Sequence, residues 1–189
     1  MTKRTKTKKK FFKTYIKERN QVGAFAPSSR YLVKKMCDKI DFDKADIIVE
    51  LGPGTGVFTK EILKRAKSTA KIFVFELNED FYKYLLEKYP DPRLVLLHES
   101  ADQIEERLNE YGFKNADAIL SSLPLAIIPS KVKEKILDAT HKTLSKDGVF
   151  VQYQYSLNAK KMIEKRFGKL QISFVPLNLP PAFIYCGNR

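Results

Sequence analysis

A tight glycine turn between an apolar strand and a helix constrains this chain more than any other feature. Residues 47–56 read IIVELGPGTG, which predicts a buried strand that runs directly into the turn. Gly52, Gly54 and Gly56 remove the side chains that would keep a ligand off the backbone. Twenty residues after Gly56, Glu76 follows a second apolar strand, where its carboxylate can accept hydrogen bonds from both hydroxyls of a ribose. This order of strand, turn, helix, strand and acid predicts a site for a nucleoside-containing cofactor.

Two other nucleotide-binding patterns are absent from the turn. A dinucleotide-binding G-x-G-x-x-G needs a third glycine where Val57 stands, and the phosphate-binding pattern G-x-x-x-x-G-K-[ST] does not occur. The form E-L-G-x-G-x-G, which begins at Glu50, resembles motif I of the class I S-adenosylmethionine-dependent methyltransferases. That cofactor has no phosphates, so the turn has only to make room for its methionine part while Glu76 binds its ribose. The alternative is a glycine-rich turn that binds no ligand.

Apolar strands alternate with helices along the chain, a pattern typical of a parallel sheet covered on both faces. The resemblance further implies two final strands within 171–186, one of them antiparallel, which complete a seven-stranded, mostly parallel, Rossmann-like sheet. We predict one methyltransferase domain over 21–189, preceded by a basic arm at 1–20. The strands are predicted at 46–51, 71–76, 93–97, 116–121 and 148–155, and the helices at 31–40 (after an N-cap at Ser28 or Ser29), 57–67, 78–89, 102–111, 129–144 and 157–166.

Positive charge is concentrated at the N-terminus. Residues 1–20 hold nine basic side chains and one acid, so +8 of the formal net charge of +13 lies in the first 20 of 189 residues. Such an arm predicts a polyanionic partner, either nucleic acid or an anionic membrane surface. Residues 11–19 fit a short helix with one aromatic face, which either lies in a membrane interface or docks on the protein's own core.

The remaining composition limits the class of protein. Hydrophobic residues make up 43% of the chain but form no run of 18, so no membrane span is predicted, and no apolar segment that would make a secretory signal follows the basic start. Cys37 and Cys186 are too few and too far apart for a disulfide framework, and His98 and His141 lie in no metal-ligand spacing. We expect a cytoplasmic protein without a metal site.

The loop after the fourth predicted strand bears on the substrate. Residues 121–125 read SSLPL and fall at the carboxyl edge of the sheet, where open parallel sheets bind their ligands. Amine-methylating members of the class carry a motif of the type [NDS]-x-P-aromatic there. By this resemblance the Ser122 side chain and the Leu123 carbonyl accept hydrogen bonds from the target amine, which aims its lone pair at the methyl group. Base-methylating members place an aromatic after Pro124 to stack on a flipped base, but this chain has Leu125. A proline-containing loop with no catalytic role is the alternative.

Two families resemble the chain over most of its length. Bacterial phospholipid N-methyltransferases are similar to it from about residue 10 onward, through the segments 22–30, 122–125, 151–155 and 178–182. This resemblance implies stepwise methylation of phosphatidylethanolamine by an enzyme that docks on the inner face of the membrane through residues 3–19. A more distant resemblance, to the ribosomal RNA adenine dimethylase family, implies methylation of adenine N6 with the arm on RNA phosphates, although those enzymes usually add a C-terminal helical extension. A cofactor-binding protein without activity and a small-molecule methyltransferase remain as further alternatives.

The resemblance also assigns site residues. Relatives often carry an acid for the adenine amino group where this chain has Ser100; Asp102 either substitutes for that acid or caps the helix that begins there, and we favour capping. Tyr155 is a candidate base for the amine proton, and its ring, with that of Tyr153, can attract a cationic headgroup. Catalytic positions are expected at Ser122, Leu123, Pro124 and Tyr155, and S-adenosylmethionine-binding positions at Glu50, Gly52, Gly54, Gly56, Glu76, Leu77, Ser100, Ala101 and Ser121.

Overall fold

A computed structural model of the protein describes residues 28–189, so the predicted basic arm lies outside the described residues. Strands and helices alternate in the predicted order. The helices are α1 (Arg30–Cys37), α2 (Val57–Arg65), α3 (Glu79–Lys88), α4 (Ile104–Glu110), α5 (Ser130–Thr143) and α6 (Lys160–Phe167), with single 3₁₀ turns at Ala101–Gln103 and Leu157–Ala159. The strands are β1 (Ile47–Leu51), β2 (Lys71–Phe75), β3 (Leu94–Leu97), β4 (Ala116–Ser121), β5 (Leu144–Gln154), β6 (Gln171–Val175) and β7 (Ala182–Asn188).

All seven strands form one sheet in the order β3-β2-β1-β4-β5-β7-β6. The first five strands pair in parallel, and β7 is antiparallel to both of its neighbours, which confirms the predicted mostly parallel sheet and its terminal hairpin. The chain winds outward from β1 to β3 and then returns to the other side of β1 with β4. The strand order therefore reverses between β1 and β4, and a ligand crevice is expected outside their carboxyl ends.

Two hydrophobic layers enclose the sheet because alternate strand side chains point to opposite faces. One layer packs α1 and α2 on the sheet, with Met36 and Ile62 fully buried. The other layer packs α4, α5 and α6 on the opposite face, through residues such as Leu137 and Ile163. Within residues 28–189 no helix combines the length and the apolar composition that crossing a membrane requires.

Several element boundaries differ from the predicted ones, among them those of β5, α1, α6 and β7, which runs past 186 to Asn188. Strand β5 begins at Leu144 rather than at 148, because Leu144 is buried and pairs with Ala116 directly after α5 ends. The next paired position is Ala118 with Val149, so the intervening residues of β5 bulge out of the ladder. Helix α1 ends at Cys37 rather than at 40, and its N-cap is Ser29, whose hydroxyl accepts a 3.2 Å hydrogen bond from the Leu32 amide.

Candidate active site

The glycine turn lies at the carboxyl end of β1, at the point where the strand order reverses. All three glycines have positive φ angles, of 70°, 57° and 77° for Gly52, Gly54 and Gly56. A Cβ on Gly52 would lie 2.8 Å from the side chain of Leu123, and one on Gly56 would lie 2.6 Å from those of Leu85 and Tyr89. A Cβ on Gly54 would meet nothing within 4 Å. Packing therefore requires the outer two glycines, whereas Gly54 faces the space in which a ligand can approach the backbone.

Glu76 follows β2 and is tied to the turn. Its Oε2 accepts a 3.1 Å hydrogen bond from the Gly54 amide, and its Oε1 accepts a 2.7 Å bond from the amide of Asn78. Asn78 in turn caps α3, since its side chain accepts a 2.9 Å bond from the Phe81 amide. These two backbone donors orient the Glu76 carboxylate beside the glycine turn, where a carboxylate is the acceptor that ribose hydroxyls need.

A second carboxyl, that of Glu50, is fully buried beneath the turn. Its Oε2 accepts a 2.7 Å hydrogen bond from the hydroxyl of Thr59 on α2, whereas its Oε1 has no hydrogen-bond partner within residues 28–189. Burial is the main cause that raises the pKa of Glu50 from its ordinary value of 4.5 to about 8; the Thr59 hydrogen bond opposes this shift and the nearby charge of Glu76 adds to it. The carboxyl is therefore largely protonated at neutral pH until a cation comes close to it.

The third predicted cofactor segment follows β3. Ala101 is buried and starts the 3₁₀ turn that leads into α4, and Ser100 occupies the N-cap position of that turn. Asp102 lies one residue inside the turn, so the expectation that it caps the helix is wrong. On the same edge of the sheet, the Leu77 carbonyl is 3.2 Å from Nε2 of His98, so β2 and β3 are connected directly where they end.

The predicted substrate loop packs directly on the glycine turn. The Ser122 amide donates a 2.9 Å hydrogen bond to the Leu51 carbonyl, and the Ser121 hydroxyl accepts a 3.3 Å bond from the Leu123 amide. The Ser122 hydroxyl is buried and forms no hydrogen bond with any residue that the structure describes. An unsatisfied buried hydroxyl carries a desolvation cost of about 1–3 kcal/mol, which a hydrogen-bonding ligand would remove. The structure thus places the predicted amine acceptor next to the predicted cofactor turn.

Two glutamines that sequence reasoning did not single out occupy the other predicted acceptor. The amide nitrogens of Gln152 and Gln154 donate to the Leu123 carbonyl at 3.1 and 2.8 Å, and both also donate to the Tyr153 carbonyl, at 2.8 and 2.6 Å. Because a carbonyl oxygen has two lone pairs, the oxygen of Leu123 is fully engaged. A target amine could use it only by displacing a glutamine, which differs from the predicted open acceptor. The sequence feature that could have indicated this contact is the pair of glutamines that follows the apolar run 149–151.

The remaining residues of the loop and of β5 divide between core and surface. Leu125, which stands where base-methylating enzymes carry an aromatic, is buried in the hydrophobic layer beneath α5 and α6. Tyr153 is also buried and stacks on Phe58 at a centroid distance of 6.0 Å, so it is chiefly a core residue. Tyr155 follows the end of β5, is 42% exposed, and meets the Tyr153 ring edge-on at 5.7 Å. Of the two tyrosines, Tyr155 is the one that a ligand can reach.

The open backbone at Gly54, the tethered Glu76 and the reversal of strand order together fit S-adenosylmethionine, and they define a class I S-adenosylmethionine-dependent methyltransferase. Solved structures of methyltransferases share this fold. The fold matches a precorrin-6y C5,15-methyltransferase from Geobacter metallireducens with a TM-score of 0.65 and 16% identity, over 87% of this chain and 92% of that one. It also matches a TehB-like S-adenosylmethionine-dependent methyltransferase from Corynebacterium glutamicum with a TM-score of 0.61 and 17% identity, over 94% and 97% of the two chains.

Within this class, the chain belongs to the ribosomal RNA adenine dimethylase family, whose pattern matches residues 17–172. Its relatives include an ornithine lipid N-methyltransferase from Singulisphaera acidiphila, 27% identical over 93% of this chain and 92% of the relative. They also include a ribosomal RNA small subunit methyltransferase A from Mycoplasma capricolum, 30% identical over 59% of this chain and 41% of the relative. One of these relatives is thus named for a lipid substrate and the other for ribosomal RNA.

Proposed function

We propose that the protein transfers methyl groups from S-adenosylmethionine to the primary amine of a membrane-lipid headgroup, with phosphatidylethanolamine as the first candidate. The observation that carries this proposal is the burial of Leu125. At the position where an aromatic would stack on a flipped base, the chain has an aliphatic side chain that belongs to the core. The substrate loop therefore offers a polar acceptor for an amine and no platform for a nucleobase.

The similarity to relatives supports the same substrate class. The match to the ornithine lipid enzyme extends over 92% of that protein, whereas the match to the Mycoplasma ribosomal RNA enzyme covers 41% of it. An amine on a lipid headgroup is the chemistry that phosphatidylethanolamine and ornithine lipid share. Adenine N6 in RNA is the second candidate, which the family match favours and the position of Leu125 disfavours.

The residues at the site can perform three tasks in such a transfer. S-adenosylmethionine supplies the methyl group as an electrophile that carries its own leaving group. Gly54 and Glu76 would position this cofactor through the open backbone and the ribose. The Ser122 hydroxyl would accept a hydrogen bond from an N–H of the neutral amine, which turns the nitrogen lone pair toward the methyl carbon. At neutral pH the headgroup is an ammonium, so one proton first leaves to water or to Tyr155, which stands at the exposed end of β5. The C–N bond then forms as the C–S bond breaks and releases S-adenosylhomocysteine, and the methylated ammonium loses a further proton to water before the next transfer.

Methyl-labelled S-adenosylmethionine distinguishes the candidate substrates. We would incubate the protein with vesicles of phosphatidylethanolamine and phosphatidylglycerol, with vesicles that contain ornithine lipid instead of phosphatidylethanolamine, and with unmodified ribosomal RNA. We expect label in the phosphatidylethanolamine fraction. Label in ornithine lipid alone would keep the amine chemistry and change the headgroup, and label in RNA alone would refute a lipid substrate.

The proposed substrate also implies a location. A lipid headgroup can be reached only at the membrane surface, so the enzyme would act as a peripheral protein on the cytoplasmic face of the membrane. The basic segment 3–19 would then contact lipid phosphates, and each lysine or arginine near an anionic surface contributes roughly 1 kcal/mol of binding free energy.

A further inference from the structure

The loop between β6 and β7 reverses the usual distribution of polar and apolar side chains. Leu177 is 61% exposed and Leu179 is 78% exposed, whereas Asn178 between them is only 6% exposed. Buried asparagine between exposed leucines is the opposite of what a solvated loop needs. Exposed apolar side chains grouped in this way mark a site of interaction.

Hydrogen bonds hold this loop in place. The Asn178 side chain accepts a 2.9 Å bond from the Ser29 amide and donates a 2.7 Å bond to the Pro180 carbonyl. Since Ser29 is the N-cap of α1, the loop is tied to the start of that helix. The buried asparagine thus fixes the backbone from inside, and the two leucines project from the opposite side.

The loop lies on the same edge of the sheet as the active site. Strand β7 is antiparallel to β5, and Phe183 at its start pairs with Gln154 at the end of β5. The turn that precedes β7 therefore stands beside the segment that carries Tyr155. Further exposed apolar side chains follow the carboxyl ends of the neighbouring strands: Ile127 after β4, and Tyr155 and Leu157 after β5. We call these three residues, with Leu177 and Leu179, the apolar rim.

The first turns of three helices near the apolar rim carry basic and no acidic side chains. Helix α1 starts at Arg30, beside the loop, and helices α5 and α6 follow the carboxyl ends of β4 and β5, so all three begin at this edge. None of them has an acid in its first turn, although the helix dipole favours one there. In contrast, α3 and α4, which begin on the far side of the switch point, each carry two acids in the first turn. The basic residues of these first turns are Arg30, Lys131, Lys133, Lys160 and Lys161. Lys160 also pairs with Glu164 at 3.6 Å, and Lys133 donates a 3.2 Å hydrogen bond to the Leu125 carbonyl.

Exposed leucines at the same edge of the sheet as three basic helix starts match the chemistry of an anionic bilayer. Leucines that enter the interface lose contact with water, and the cations around them meet lipid phosphates. From these observations we propose that Leu177 and Leu179 insert into an anionic membrane and that the cations of α1, α5 and α6 bind its headgroups. This orientation would press the open edge of the active site against the lipid surface. The inference rests on the proposed function, because an active site that acts on a membrane lipid must face the membrane surface.

Fluorescence can test the insertion without any reference to activity, because the chain contains no tryptophan. A Leu179→Trp variant would carry the only tryptophan on the apolar rim. Its matched control, Tyr111→Trp, would place the only tryptophan at a site that is 51% exposed, after α4 and before the start of β4, at the opposite edge of the sheet. Each variant is mixed with vesicles of phosphatidylethanolamine and phosphatidylglycerol whose acyl chains carry bromine, a quencher. Unchanged S-adenosylmethionine affinity by calorimetry verifies that each variant is folded.

We expect the emission of Leu179→Trp to shift to the blue and to be quenched by the vesicles, while that of Tyr111→Trp stays unchanged. A Leu177→Ser/Leu179→Ser variant should partition into the same vesicles about tenfold more weakly for each leucine removed. Unquenched emission from Leu179→Trp in pelleted vesicles would overturn the inference. Blue-shifted emission without vesicles would also overturn it, because another part of the chain or a second copy would then cover the loop.

Quenching and methyl transfer, measured in the same samples, test membrane insertion and the lipid substrate independently of each other. Methyl transfer to lipid by an unquenched Leu179→Trp variant would refute insertion and leave the lipid substrate standing. Quenching by vesicles without methyl transfer to any lipid would support the membrane surface and refute the proposed substrate.

Discussion

Two carboxyl groups at the site share a chemistry but differ in environment. Both are buried, but Glu76 is held by two backbone amides beside the turn, whereas Glu50 has a hydrogen bond from Thr59 to one oxygen only. A backbone donor favours the ionised form of a carboxyl, and burial favours its protonated form. The backbone donors thus orient the first group beside the turn, and burial keeps the second largely protonated at neutral pH.

Removing the Glu76 carboxylate should weaken cofactor binding. We expect Glu76→Ala to raise the dissociation constant for S-adenosylmethionine by roughly tenfold or more, because hydrogen bonds to a charged acceptor contribute about 1.5–3 kcal/mol each. Isothermal calorimetry measures the constant, and circular dichroism verifies the fold. Glu79→Ala is the matched control, since Glu79 pairs with Lys83 on the surface of α3. Equal affinities for Glu76→Ala and the wild type would refute the ribose assignment.

Glu50 should make stability depend on pH. Its pKa is about 8 in the folded protein and 4.5 ordinarily, so between these values the folded state binds more protons than the unfolded chain. The free energy of unfolding should therefore fall as the pH rises from about 4.5 to about 8. Thermal unfolding of the wild type and of Glu50→Gln across this range measures the effect. We expect a flatter pH profile for Glu50→Gln and a melting temperature above that of the wild type at pH 8. Parallel profiles would mean that another group titrates.

At the scale of elements, the substrate loop and β5 form one unit. The loop after β4 packs on the glycine turn through Ser122 and Leu123, and the two glutamines of β5 hold the Leu123 carbonyl. With the carbonyl held in this way, the buried Ser122 hydroxyl is the acceptor of this loop that has no hydrogen-bond partner within residues 28–189. Specificity for an amine thus depends on contacts between two strands as well as on the loop itself.

Loss of the Ser122 hydroxyl should affect the methyl transfer and spare the cofactor. We expect Ser122→Ala to lower kcat/KM for vesicle-bound phosphatidylethanolamine by about tenfold, the effect of one hydrogen bond of about 1.4 kcal/mol. The S-adenosylmethionine affinity should stay unchanged, since Ser122 is not among the predicted cofactor contacts. Initial rates with labelled cofactor provide the first value and calorimetry the second. Ser156→Ala, at the end of β5, is the control. A wild-type rate for Ser122→Ala would remove this hydroxyl from the mechanism.

At the scale of the whole molecule, two surfaces could bring the enzyme to a membrane. The basic arm carries +8 of the net charge of +13 and lies outside the described residues, while the apolar rim and its cations belong to the described domain. Binding by the arm depends on charge and is screened by salt, whereas burial of leucines is not. Salt therefore distinguishes their contributions.

Deletion of residues 1–19 should abolish most of the salt-sensitive binding to membranes. We expect the truncated protein to sediment with phosphatidylglycerol vesicles much less than the full chain at low salt, because the deletion removes nine cations. Cofactor affinity should be preserved, since the glycine turn and Glu76 lie outside the deleted segment. Neutral phosphatidylcholine vesicles serve as the control surface. Sedimentation equal to that of the full chain at low salt would mean that the arm is not the electrostatic anchor.

Much of the fold, the glycine turn and the position of Glu76 could be predicted, because residues close together in the sequence determine them. A run of apolar residues that ends in Gly52, Gly54 and Gly56 forms a strand and a left-handed turn wherever it occurs, since only glycine takes up these φ angles without strain. The helix boundary at Ser29 follows equally from its neighbours. Glu76 could be found because it stands at a set distance after a strand that must lie next to β1.

Other features depended on residues that are far apart in the sequence. The glutamines of β5 meet the Leu123 carbonyl from positions 29 and 31 residues further along the chain, and Asn178 bonds to Ser29 across 149 residues. No local pattern shows that Leu125 is buried, that Asp102 lies past the N-cap, or that Leu177 and Leu179 face outward. The sequence by itself determined the class of fold and the cofactor turn, because periodicity and glycine sterics act over a few residues. Only the tertiary structure decided which groups can reach a substrate or a membrane, because burial and hydrogen bonding are settled by the strands and loops that pack together.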